Sequence, residues 1–235
     1  MKKVSKMEIL AARHDLLKQM NGLFICLAFL VAGASDAVAL TYDANLSTTG
    51  AQDGAGAGWN TTSVNFWNGS ADVVWPNTTS DTAVFGAGSG AAGSVTVGTV
   101  TANGITFDAP GSGAYTLTGG TITLGGITPT INVSAVSVTG TVSSVIAGSG
   151  VNLTKAGAGA LTLAVPVKTY TGGTFVNEGM LVLGATSGND SKTGVIRGDL
   201  LINTNATVSA STAWSLGYGG PNVVGTGPSV SSIMI

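Results

Sequence analysis

The chain has 235 residues, 44% of them hydrophobic and only 9% charged, with a formal net charge of −2. Nine basic residues do not supply the clustered positive surface that a nucleic acid requires, so we exclude nucleic acid as a partner. A single cysteine excludes an internal disulfide, and we expect backbone ladders and apolar packing to stabilise the fold.

Residues 1–39 have the features of a secretory signal peptide. A basic stretch precedes the apolar run Leu23-Phe-Ile-Cys-Leu-Ala-Phe-Leu-Val-Ala32, which is too short to span a bilayer. Ala37-Val-Ala39 then offers the small residues that a signal peptidase reads, so we predict cleavage after Ala39. The alternative is a retained membrane anchor. Cleavage removes the only cysteine and the only histidine, and it leaves four basic and eight acidic residues.

Three tryptophans recur every eight residues in the region 40–93, at Trp59, Trp67 and Trp75. This spacing is typical of successive short strands joined by turns. Aromatic faces stack on sugars, so the three rings are candidate glycan-stacking residues. The alternative, which we favour, is that they seal one end of the core as an N-terminal cap.

From residue 94 to 235, short runs alternate apolar and small polar residues, and no helical period is present. Turn residues separate the runs. The predicted strands are Val95–Val100, Ile105–Phe107, Tyr115–Leu117, Ile122–Leu124, Ile131–Val133, Val136–Val142, Val151–Leu153, Leu161–Leu163, Phe175–Val176, Leu181–Leu183, Val195–Ile202 and Thr207–Val208.

The run 151–184 places such strands at fixed distances from glycines. It reads Leu153-Thr-Lys-Ala-Gly-Ala-Gly-Ala-Leu-Thr-Leu163, then Tyr170-Thr-Gly-Gly-Thr174, then Gly179-Met-Leu-Val-Leu-Gly184. This pattern resembles the autotransporter-associated β-strand repeat of bacterial surface passenger proteins, and a weaker copy lies around 111–126. We expect glycines at the corners and apolar side chains inside the repeat: Gly157, Gly159, Leu161, Leu163, Tyr170, Gly172, Gly173, Gly179, Leu181 and Leu183.

Repeats of this kind indicate a solenoid, because one unit cannot bury its apolar face alone. We predict an all-β chain that forms a right-handed parallel β-helix with an irregular aromatic N-terminal cap region. The expected organisation is a signal peptide (1–39), a cap or strand region (40–93) and solenoid repeats truncated at the C-terminus (94–235). With repeat periods of about 20 to 50 residues, the mature chain would form roughly four to ten coils. A sandwich or a closed barrel also has closely spaced strands, but the repeat favours the solenoid.

No set of residues predicts catalysis, a cofactor or a metal site. With the histidine removed, only lysines could activate a serine or threonine nucleophile, and we expect Lys155 at a solvated corner. The acidic residues are scattered singly, which argues against a calcium site and a polysaccharide-cleaving carboxylate pair, although two of them could meet on neighbouring coils. Gly88-Ser-Gly-Ala-Ala-Gly93 fits a dinucleotide fingerprint, but no helix follows it.

The resemblance implies an exported, non-enzymatic passenger segment with a structural or presentation role at the cell surface, where it aids autotransporter-type secretion. A glycan-binding surface adhesin is the alternative, and a polysaccharide-cleaving β-helix enzyme is less favoured. The expected partners are signal peptidase and the export machinery, with cell-surface glycans or other solenoid segments as further candidates. The expected location is the cell surface, either associated with the outer membrane or extracellular.

Overall fold

Short β-strands make up all the regular secondary structure in the computed structural model, which describes residues 37–165, 168–185, 195–211, 215–216 and 233–235. The first strands are β1 (Ala39–Tyr42), β2 (Gly58–Trp59), β3 (Val64–Trp67), β4 (Asp72–Val74), β5 (Thr82–Phe85), β6 (Ser94–Ala102), β7 (Gly104–Phe107), β8 (Tyr115–Leu124) and β9 (Thr130–Val133). They are followed by β10 (Thr139–Val142), β11 (Val145–Gly148), β12 (Leu153–Ala156), β13 (Ala160–Leu163), β14 (Lys168–Tyr170), β15 (Thr174–Val176), β16 (Gly179–Leu183), β17 (Leu200–Ile202), β18 (Ala206–Ala210) and β19 (Ile233–Met234).

One sheet stacks a single strand from each successive coil in parallel. Its order includes β5, β7, β9, β12, β15 and β17 as consecutive neighbours. Paired residues lie 21 to 26 positions apart along the chain, as Leu153 beside Thr174 and Thr174 beside Leu200 illustrate. The chain therefore advances by one coil every 21 to 26 residues, and the predicted β-solenoid is confirmed, with about five turns.

The second sheet changes its arrangement along the solenoid. The long strand β8 pairs with β6 over most of its length, but its first half then pairs with β10 and its second half with β11. The sequence predicts two strands within β8, whereas the structure has one continuous strand. The next two coils divide this face between two strands, so each of them uses three short strands (β9–β11 and β12–β14) where the preceding coil uses two (β7 and β8).

Alternation within each strand directs one set of side chains into the interior. In β13, Leu161 and Leu163 are fully buried, while the residues between and before them are partly exposed. Leu163 lies beside Val142 of one neighbouring coil and Leu183 of the other. Because the same inward position recurs at the same register, apolar residues stack along the solenoid and form a continuous core.

Aromatic side chains fill the N-terminal end of this core. Strand β3 runs antiparallel to β1, and β4 runs antiparallel to β3, so a hairpin ends the parallel ladder on this side. Beneath it, Phe66 and Trp75 lie with ring centroids 5.0 Å apart, and Tyr42 and Phe85 lie 5.4 Å apart. The aromatic cap region that the sequence predicts is therefore a packed end of the core. The described part of the chain contains no helix with the length and apolarity that a membrane crossing requires.

Two stacked corners of the repeat admit only glycine. Gly157 and Gly179 both have positive φ, at 75° and 68°. A Cβ atom on Gly179 would lie 2.5 Å from the carbonyl oxygen of Gly157 in the preceding coil. The coils therefore approach too closely here for any side chain, in addition to the backbone angle that disfavours one.

We expect Leu163→Asp to unfold the solenoid, because the substitution buries an unpaired carboxylate among apolar side chains and costs more than about 4 kcal/mol. The matched control is Thr162→Asp, which introduces the same group at a partly exposed position of the same strand and should cost within about 1 kcal/mol. Denaturant unfolding followed by circular dichroism measures both. Equal stabilities of the two variants would show that the inward register is wrong.

We expect Gly179→Ala to destabilise the protein by at least about 2 kcal/mol more than Gly150→Ala. Gly150 also has a positive φ, at 71°, but nothing lies within 4 Å of a Cβ placed there. Both variants carry the cost of the backbone angle, so the difference between their unfolding free energies isolates the steric contact with the neighbouring coil. A difference near zero would argue against the close stacking of the corners.

Candidate functional site

Two of the three candidate glycan-stacking tryptophans lie inside the core. Trp59 is 0% exposed and Trp75 is 1% exposed, and their rings meet edge to face with centroids 5.2 Å apart. The Trp75 indole N–H donates to the carbonyl of Thr101 at 2.9 Å. Neither ring presents a face to solvent, so the geometry corresponds to the core-sealing alternative.

Trp67 is partly exposed on β3, where it pairs with Thr41 on one side and Asp72 on the other. Phe66 points into the core, and consecutive residues of a strand point to opposite faces, so Trp67 points outward. The three tryptophans do not form an exposed ladder. A sugar could contact one of them at most without opening the core.

The asparagines that follow the first two tryptophans build turns. The side-chain oxygen of Asn60 accepts the backbone amides of Thr62 and Ser63, at 2.9 and 2.8 Å. Asn68 repeats the arrangement with the amides two and three residues later, both at 2.9 Å. These side-chain oxygens satisfy local backbone donors, as expected for turn-forming asparagines, and are not free to bind a ligand.

The expectation that Lys155 is solvated is wrong, because its side chain is 0% exposed. Lys155 shares the inward face of β12 with Leu153. Its ammonium nitrogen donates to the carbonyls of Ala156 at 2.8 Å, Gly157 at 2.6 Å and Glu178 at 3.0 Å. Glu178 belongs to the next coil, so hydrogen bonds from the Lys155 ammonium group connect two successive corners of the solenoid. The two-residue alternation from Leu153 was the signal that could have placed it inside.

Lys168 is a second buried lysine that the sequence analysis left without a role. It is 0% exposed, and its ammonium nitrogen donates to one carbonyl, that of Ser144, at 2.8 Å. Burial lowers the pKa of Lys168 to about 7. Burial also lowers the pKa of Lys155, to about 8, although the Glu178 carboxylate acts in the opposite direction. Two amines in this protein therefore lose their protons far more readily than a solvated lysine does.

An amine of low pKa next to Ser144 resembles a general base beside a nucleophile. The Ser144 hydroxyl is buried and has no hydrogen-bond partner. However, both side chains are 0% exposed, so no substrate can reach either atom in the folded chain. The arrangement supports a structural role, since a nucleophile must meet its substrate as well as its base.

Two acidic residues do meet, near the N-terminal cap. Burial, and then the adjacent carboxyl of Asp43, raise the pKa of Asp72. Oδ1 of Asp43 accepts the amides of Asn45 at 2.8 Å and Gln52 at 3.2 Å. Carboxyls in direct contact are closer than the roughly 5 Å or more that glycoside cleavage requires. Within the described ranges, no group of three histidine, cysteine or acidic side chains is arranged to hold a metal ion.

A shallow groove on the outside of the first sheet holds about 160 Å³. Ile127, Pro129, Val151, Asn152 and Phe175 contribute to its walls. Small-molecule sites are usually larger, at about 300–1,000 Å³, and they enclose most of their ligand. No acidic or basic side chain lines this groove, so it offers no general acid or base.

Comparisons with known proteins agree with the repeat. A family model described as Passenger-associated-transport-repeat matches residues 153–183, within the predicted repeat at 151–184. Over 168 residues, the chain is 39% identical to the Adhesin BmaC autotransporter of Brucella suis biovar 1 (strain 1330). That alignment covers 68% of this chain and 4% of the relative, so the chain spans a small part of the relative's length. No solved structure matches the chain.

We expect the stability of the protein to rise between pH 7 and pH 10 and Lys168→Met to reduce this rise. In this window the Lys168 amine is neutral in the folded state and protonated in the unfolded state. The unfolded state therefore binds more protons, and the free energy of unfolding increases as pH rises. Below pH 7 the variant should be more stable than the wild type by about 1–3 kcal/mol, because no charge has to be buried or neutralised.

Thermal unfolding at several pH values measures this effect. The upper limit is pH 10, since burial raises the pKa of Tyr42 and of Tyr170 to about 12 and stability falls again once the unfolded phenols ionise. Lys155 contributes part of the slope in both proteins. Identical pH profiles for the wild type and Lys168→Met would contradict a proton-releasing Lys168.

Proposed function

Because the chain carries the repeat of autotransporter passengers, we propose that it is an exported, non-enzymatic β-solenoid segment that presents neighbouring sequence at the cell surface. One observation carries this proposal. The matched residues 153–183 form consecutive coils whose strands, glycine corners and buried lysine all connect to the next coil. The repeat can therefore lengthen the solenoid one coil at a time.

A solenoid of this kind is suited to folding during secretion. Each finished coil exposes a row of backbone donors and acceptors on which the next coil pairs, so folding advances by addition to an existing end. The free energy comes from pairing and from burial of the inward leucines, and it requires no nucleotide, cofactor or disulfide. We propose that this stepwise folding aids passage of the passenger to the outside.

An enzymatic function has little support from the described residues. The acidic pair of Asp43 and Asp72 is in direct contact, the lysine of low pKa is sealed in the core, and the groove near Phe175 has no ionisable side chain. These features correspond to the packing of a rod. A reaction would need at least one reactive group at a surface that a substrate can reach.

A surface adhesin is the second candidate. The relative that aligns with 68% of the chain is named an adhesin, and this second proposal transfers that role to the chain. Adhesion through a glycan would require a surface other than the tryptophan ladder, since Trp59 and Trp75 are buried. Trp67 is the ring of the three that a ligand could touch.

The test of the presentation role introduces Leu163→Asp and Thr162→Asp separately into the intact gene of the producing bacterium. Antibodies to residues 40–93 quantify the protein on intact cells and in lysed cells. We expect Thr162→Asp to keep the wild-type ratio of surface to total protein and Leu163→Asp to lose most of the surface signal, because its coils cannot stack. An unchanged ratio for an unfolded Leu163→Asp would show that solenoid folding is not needed for presentation.

A further inference from the structure

The first sheet begins two residues after the first described residue, at Ala39. Ala39 pairs with Thr82 at the start of the β1–β5 ladder, and the Thr82 amide donates to the carbonyl of Val38 at 2.9 Å. The amide of Val38 in turn donates to the Asp81 carboxylate at 3.3 Å. Val38 and Ala39 thus contribute backbone hydrogen bonds that cleavage after Ala39 would remove.

Asp81 is a buried carboxylate with neutral partners. It is 3% exposed, and besides the Val38 amide it accepts the Thr78 hydroxyl at 2.5 Å. The lysines and the arginine of the described chain are engaged elsewhere, since Lys155, Lys168 and Arg197 donate to backbone carbonyls. A buried carboxylate without a cation is costly, so a positive charge at this place would stabilise the fold.

The sequence permits several cleavage positions, and two of them lie within the described residues. A signal peptidase reads small residues at the first and third positions before the cut. Cleavage after Ala39 uses Ala39 and Ala37, and cleavage after Ala37 uses Ala37 and Ser35. The first cut leaves the Thr82 amide and one Asp81 oxygen without their partners from Val38. The second keeps both contacts and converts the Val38 amide nitrogen into an α-ammonium group.

We propose that the mature chain begins at Val38 and that its α-ammonium group pairs with the Asp81 carboxylate. In the processing step, a signal peptidase hydrolyses the peptide bond between Ala37 and Val38. The oxygen of one water molecule bonds to the Ala37 carbonyl carbon, the carbon–nitrogen bond breaks, and the nitrogen leaves as the amine of Val38. Ala37 ends as a carboxylate, and the Val38 amine takes up the proton. Folding then places the new cation against the buried carboxylate.

The experiment expresses the full chain with its leader in an exporting bacterium and determines the N-terminus of the exported protein by sequencing and intact mass. We expect Val-Ala-Leu-Thr-Tyr. A protein that starts at any other residue, Leu40 included, or that keeps its leader, overturns the proposal.

Two substitutions test the position independently. Ser35→Lys should abolish the Val38 N-terminus, because it places a large residue third before the cut after Ala37. Ala39→Lys should keep the Val38 N-terminus, because Ala39 follows that cut and is exposed in β1. If the wild-type cut follows Ala39, the pattern is the opposite: Ser35→Lys keeps the wild-type N-terminus and Ala39→Lys loses it.

The ion pair has a separate readout in the exported protein. Asp81→Asn should lower Tm, whereas Asp108→Asn, the same change of charge at a partly exposed position, should not. The stability difference between wild type and Asp81→Asn should shrink between pH 7 and pH 10. The pairing raises the pKa of the α-amine in the folded state, so its contribution is complete at low pH and is lost as the amine deprotonates. A difference that does not change with pH overturns the ion pair.

Discussion

The close approach of one coil to the next is the constraint on which this structure depends. Parallel pairing holds successive strands at about 4.8 Å, and the corners between the strands must follow at the same spacing. At Gly157 and Gly179 this spacing leaves no room for a Cβ atom, and the turning backbone there directs carbonyls toward the interior. Lys155 satisfies three such carbonyls from two coils. The glycines of the repeat thus allow the corners to approach closely, and the lysine binds the backbone carbonyls of these corners.

This constraint explains which parts of the fold the sequence could predict. Strands such as β9 and β13 alternate inward and outward residues without interruption, and their predicted and observed positions agree closely. Strand β11 was missed because Val145-Ile-Ala-Gly148 is short and alternates weakly. The division of the second face after β8 depends on which strand pairs with which half, and local periodicity contains no such information.

The candidate site was less predictable, because exposure is decided by packing across coils. The tryptophans at positions 59, 67 and 75 have equal spacing, yet only the middle one faces solvent. Trp59 and Trp67 lie on different strands, and Trp75 follows the end of β4, so equal spacing does not give the three rings one orientation. For the two lysines, the charge of the side chain indicated exposure, whereas both are buried. A charged residue on an apolar face is usually solvated, but Lys155 and Lys168 follow the inward alternation of Leu153 and Tyr170. For these residues the strand pattern was the better guide.

The two buried amines also connect folding to pH. The unfolded chain carries Lys168 as a solvated cation, and closing the coil transfers it to a place with one carbonyl acceptor. The coil therefore closes most favourably when the amine gives up its proton to solvent, which makes folding of this region sensitive to pH. The pKa of Lys155 is lowered less, because burial removes less water from its ammonium group and the Glu178 carboxylate favours the charged form. One solenoid thus contains two buried lysines, and the depth of burial and a nearby carboxylate account for the difference between their pKa values.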